Sequence, residues 1–176
     1  RVKHFEPIAL LLTLATLYGL LYHTFGINLF VDVANSSSAS QTTNMNLINR
    51  WFSNNYSLAT LLFVPIYSIA SFIVFRKQQY NFIEHVYLNT FLGSQRIFLH
   101  LLIFPLFVIY NGTAQLKIVM DVSIILDVVL LVWSYVQFFD KLTKGKAILL
   151  SILSYLIFFV CFFIITAVVL EVFHLI

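Results

Sequence analysis

A chain of 176 residues that is 61% hydrophobic and only 10% charged is no ordinary soluble domain, since such domains carry about a quarter of their residues as charges. Its formal charge of +3 comes from basic residues gathered at the ends of apolar runs. No basic stripe is interleaved with surface aromatics, which excludes a nucleic-acid partner. The composition implies an all-α integral membrane protein whose solvent is the lipid bilayer.

Five apolar runs follow one another, over 7–27, 57–75, 86–110, 118–139 and 147–170. Each is close to the ~20 residues a helix needs to cross ~30 Å of hydrocarbon. Backbone groups in lipid must pair within their own segment or in a closed barrel. Barrel strands alternate in polarity, whereas 148–170 is apolar on all sides. The expectation is a five-transmembrane-helix bundle forming a single membrane domain over residues 1–176.

Glu6 and Pro7 open the first run, where proline suits the first helical turn and the carboxylate suits its positive end. The run is too long for a signal-peptide core and lacks a small-residue cleavage site, so it reads as a retained span. Arg1 rather than Met begins the chain, and further residues are expected before it. The 28–56 segment is the one long loop, with a polar low-complexity stretch over 35–44. Met45, Ile48 and Phe52 then share a helical face, which suggests a short helix lying on the outer surface. Asn35 and Asn55 stand in glycosylation sequons.

Pro65 and Pro105 interrupt the second and third runs and predict kinks. The third run is unusually polar: His85, Asn89, Arg96 and His100 recur at intervals of four and seven, on one helical face. Glu84 is adjacent to His85 and points elsewhere, so the two form no catalytic pair. The fourth run answers with Asp121, Ser123, Asp127, Ser134 and Gln137. A rise of ~1.5 Å per residue places Arg96 about 21 Å and His100 about 15 Å below the Asn111 turn, and Asp127 about 15 Å down from Lys117. Arg96 is therefore expected to pair with Asp127, with His100 as companion. Glu84, His85, Asn89, Asp121 and Ser123 form a secondary polar set. A lone charge at the bilayer centre costs about 2.5–3.5 kcal/mol on insertion scales, so such residues point to a proton relay, a substrate pocket or an ion path, with helix–helix glue as the structural alternative.

The turns read as Asn111-Gly112 and Lys144-Gly145-Lys146. Trp51, Tyr56, Tyr80 and Tyr110 fall near the expected interfaces. Phe158, Phe159, Phe162 and Phe163 make the fifth run either a contact helix or a lipid-facing one. Cys161, the only cysteine, reads as an inert core thiol with no metal-thiolate partner. His23, His100 and His174 lie at mismatched depths for a bis-histidine haem. No hydrolase, zinc-protease or phosphate-loop motif occurs. No metal site and no cofactor are expected.

Seven of the ten basic residues (Arg1, Lys3, Arg76, Lys77, Lys141, Lys144, Lys146) fall on one side of this threading and two (Arg50, Lys117) on the other, with Arg96 inside a span. Positive charge favours the cytoplasm, which puts the N-terminus in the cytoplasm and the C-terminus on the extracytoplasmic side.

The stretch from Arg1 to Pro7 running into 8–21 resembles the start of the membrane region in a bacterial family of unknown function. That family carries an N-terminal zinc ribbon. The stretch from Tyr80 to Phe91, with an acidic-His pair entering the third span, resembles its second signature. The zinc-ribbon cysteines do not occur in these residues: they either precede Arg1 or are lacking in this member. The resemblance implies a bacterial inner-membrane location and brings no activity. The layout is also similar to Yip1-type five-span domains, at the level of architecture.

Small size, lack of a catalytic motif and lack of an internal repeat lead to the expectation of a scaffold or accessory subunit, with other membrane-protein subunits as partners. A small transporter or channel-like protein using Arg96, His100 and Asp127 is the alternative. A lipid-modifying enzyme using Glu84, His85 and Asn89 is third.

Overall fold

Long apolar sequences become helices in this chain because each peptide group is then satisfied within its own segment. The computed structural model describes residues 6–25 and 55–174. Among these are the helices α1 (Pro7–Phe25), α2 (Tyr56–Phe75), α3 (Phe82–Ile109), α4 (Gln115–Phe138) and α5 (Lys144–His174), with a 3-10 turn at Arg76–Gln78. Pro7–Phe25, Ser57–Gln78, Phe82–Ile109 and Lys144–Val168 are long and apolar enough to cross a membrane. The 24-residue α4 carries Lys117 and Asp121 in its first half and Asp127 at its middle. Most of the expected loop, including its surface helix with Trp51 and the Asn35 sequon, lies outside the described residues.

Local chemistry places the helix ends. After the 3-10 turn, Gln79 adopts a left-handed φ of 64°, which stops the preceding helix. The Glu84 carboxylate then accepts the Asn81 backbone N–H at 2.6 Å, the carboxylate half of a capping box. It starts α3 at Phe82, four residues ahead of the apolar run. The 110–113 turn has Gly112 at φ 76° and is closed by the Thr113 hydroxyl, which donates to the Tyr110 carbonyl at 2.7 Å. The expected turn at Lys144-Gly145-Lys146 is corrected. The Ala147 N–H already bonds the Thr143 carbonyl at 2.9 Å, so these residues form the first turn of α5 and the chain reverses over 139–143.

Two compact units share the helices, one from Arg1–Leu61 with Gly93–Leu126 and one from Leu62–Leu92 with Asp127–Ile176. In the first, Leu11, Ala15, Tyr18 and Tyr22 form the buried stripe of α1, at the three-to-four spacing of one helical face. Phe104 of α3 meets Tyr18 edge-on at 5.8 Å and Phe25 at 5.6 Å. Gly93 lets α3 approach: a Cβ there would come within 3.2 Å of a Leu11 methyl.

The second unit is held by aromatic stacking. Tyr67 lies flat on Phe158 at 3.6 Å, Phe75 on Phe139 at 3.9 Å, and Tyr135 stands edge-on to Phe75 at 5.5 Å. The four phenylalanines of the fifth run therefore present no common outer face. Phe158 is buried in the core, Phe159 and Phe162 are half-buried against it, and Phe163 is exposed. Helical spacing explains the split, because 158 and 162 are one turn apart whereas 163 is rotated off that face. Large apolar side chains such as Ile83, Leu102, Ile125 and Leu149 are exposed, as suits helices solvated by lipid.

Candidate functional site

A polar side chain buried in an apolar helix is costly unless it finds a partner, and the second unit shows how most of its buried groups do so. On α2, Ser68 and Ser71 are three residues apart and fully buried. The Ser68 hydroxyl donates to the Val64 carbonyl at 2.7 Å, and the Ser71 hydroxyl to the Ser68 carbonyl at 3.1 Å. Ser71 Oγ also reaches α3.

His85 and Asn89, one turn apart on α3, meet it there. His85 Nδ1 lies 2.9 Å from Ser71 Oγ, and Asn89 Nδ2 donates to the same oxygen at 3.0 Å. The second Asn89 N–H donates to the His85 carbonyl at 2.8 Å. On α4, the Tyr135 hydroxyl donates to Asn89 Oδ1 at 2.7 Å. The carboxamide thus uses both of its N–H groups and its oxygen. Ser154 of α5, also buried, borders the Tyr135 hydroxyl.

The Ser71 hydroxyl has one proton and two acceptors within reach, the Ser68 carbonyl and His85 Nδ1; donation to Ser68 goes with the hydrogen on Nδ1, and donation to His85 goes with the hydrogen on Nε2. Nε2 is buried without a hydrogen-bond partner among the described residues. The ring stands 5.6 Å from Phe72 and 5.7 Å from Phe139.

A serine, a histidine and an asparagine in contact suggest nucleophilic catalysis, which requires the imidazole to accept the serine proton. His85 and Ser71 are both 0% exposed, so the pair is sealed from the surface in this packing. This arrangement ties α2, α3 and α4 together.

The other residues singled out by sequence fall elsewhere. Glu84 is exposed and caps α3; Asp121 is exposed on α4. Ser123 is buried and donates to the Val119 carbonyl at 2.8 Å within its own helix. Arg96 and His100 are half-buried and belong to the first unit, where the His100 ring lies 6.0 Å from Tyr18. Asp127 is buried and begins the α4 portion of the second unit. Spacing along α3 found His85 and Asn89 but missed Ser71 and Tyr135. The available signal was paired serines, Ser68/Ser71 and Ser151/Ser154, at three-residue spacing in otherwise apolar helices. Among the described residues, no group of three His, Cys, Asp or Glu side chains is placed to hold a metal ion. No family model, curated protein or solved structure matches the chain.

Proposed function

We propose that this chain is a bacterial inner-membrane protein of five spans, with α4 crossing as well, its N-terminus in the cytoplasm and its C-terminus outside. In this reading it serves as a scaffold or accessory subunit of a larger membrane assembly. The supporting observation is the closed Ser71–His85–Asn89–Tyr135 cluster, whose hydrogen bonds join helices and leave its reactive atoms inaccessible. Interhelical bonds of this kind fix one packing arrangement in lipid. Helices joined in this way, with large apolar side chains on their outer faces, suit docking against other spans. The likeness to zinc-ribbon membrane proteins belongs to the same proposal and adds no chemistry. Purification of the full chain in mild detergent tests the role: co-purification with defined membrane partners supports it. A chain that runs alone and carries solute flux in vesicles contradicts it.

Asp127 supports a second reading, that of a small transporter or channel. A buried carboxylate on a membrane helix is a default functional hypothesis, and the proposed partners are Arg96 with His100. Flux in vesicles that is abolished by Asp127→Asn in a folded protein favours this reading. The lipid-enzyme reading draws no support from an exposed Glu84 beside a fully buried His85.

A further inference from the structure

The two connections of the second unit lie side by side. The Tyr80 ring stands 4.9 Å from Phe138 and 5.4 Å from Phe139, and its hydroxyl donates to the Phe138 carbonyl at 3.4 Å. That contact gathers the exposed cations Arg76, Lys77, Lys141, Lys144 and Lys146 at one end of the unit. The exposed carboxylates there are Glu84 and Asp140, and Glu84 is already engaged by the Asn81 N–H. In the first turn of α3 and about one helical turn into α5, the surface becomes apolar through exposed Ile83, Ile148 and Leu149. Between Lys144 and Lys146, Gly145 leaves the first turn of α5 open, since an added Cβ would meet nothing within 4 Å. The amides of that turn lie at the positive end of the helix dipole.

We propose that this end of the second unit binds the head groups of anionic phospholipids, phosphate on the cations and acyl chains along Ile83, Ile148 and Leu149. The inference rests on the membrane reading and adds the lipid class. The match lies in the order of polarity: cation, helix end, then apolar side chain, the same sequence as phosphate, glycerol and acyl chain. A soluble phosphate or a polyanion would leave the apolar rim in water. Clustered lysines and arginines beside a span are the recognised chemistry for such head groups.

The test uses the full chain, purified in mild detergent, with phosphatidylglycerol and phosphatidylcholine of equal acyl length as probes in native mass spectrometry. Phosphatidylglycerol is expected to be retained at least about tenfold more strongly, with the preference shrinking as salt rises. Replacing Lys141, Lys144 and Lys146 together by Gln is expected to weaken retention about a hundredfold, from three surface cations acting on the head group. The triple Arg variant retains the preference, as does Lys117→Gln in the other connection. Equal retention of both lipids overturns the proposal. So does glycerol phosphate or a nucleic acid competing as well as whole lipid. If the Gln variant fails to fold, the salt titration of the unaltered protein decides, and a salt-independent preference overturns the proposal. A chain soluble without detergent removes the membrane reading itself; a detergent-dependent chain with no lipid preference removes only this inference.

Discussion

The Tyr135 hydroxyl reaches across 46 residues of sequence to donate to the Asn89 carboxamide at 2.7 Å. Asn89 in turn holds Ser71 at 3.0 Å, so α4 communicates with α2 through one side chain of α3. Tyr135→Phe removes the donor, keeps the ring against Phe75 and leaves Asn89 Oδ1 unpaired. The expected loss is about 1 kcal/mol, within the range for interhelical bonds in membrane bundles. Detergent-denaturation curves of the purified variants, in a double-mutant cycle with Asn89→Leu, measure it; a coupling of zero contradicts the bond.

Ser71→Ala is expected to cost more, about 2 kcal/mol, because it removes the partner of both His85 Nδ1 and one N–H of Asn89. The same denaturation assay ranks it against Tyr135→Phe. Equal or smaller destabilisation by Ser71→Ala contradicts the assignment of Ser71 as shared partner.

These partners show what was and was not legible in sequence. The helices were, because runs of ~20 apolar residues have one solution in lipid. His85 and Asn89 stood out as polar residues four apart on an apolar face. Ser71 did not, since a serine satisfies itself on its own helix and is tolerated anywhere. Tyr135 was hidden for another reason, because its ring belongs to the aromatic core and only its hydroxyl touches the polar cluster. Contacts across 14 and 46 residues leave no local periodicity to read. Glu84 was read as part of the secondary polar set and caps the helix, because a first-turn carboxylate finds an unpaired backbone N–H nearby.

Phe158 and Phe163 separate core from surface on α5. Phe158 is 6% exposed and stacked on Tyr67, whereas Phe163 is 64% exposed. Phe158→Ala is expected to destabilise by about 3–5 kcal/mol, as for other buried aromatic truncations, and Phe163→Ala to stay within about 0.5 kcal/mol. Thermal unfolding in a fixed detergent compares them directly.

Gly93 and Leu11 make a size-coupled pair in the first unit. A Leu side chain at 93 would enter the space of the Leu11 methyls, already 3.2 Å from an added Cβ. Overpacking of this kind costs about 1–3 kcal/mol. Adding Leu11→Ala is expected to recover part of the loss. Additive destabilisation in the double variant contradicts the close approach of α1 and α3.

The proposed threading places 76–81 and 139–143 on the cytoplasmic face and the 110–114 turn outside. Single cysteines at Lys77, Gly112 and Thr143, introduced one at a time with Cys161→Ala, can be challenged in intact bacterial cells with a membrane-impermeant thiol reagent. A five-span chain labels at 112 in intact cells, and at 77 and 143 only after permeabilisation. Labelling of 112 and 143 from the same side would remove α4 as a crossing helix and contradict the five-span bundle.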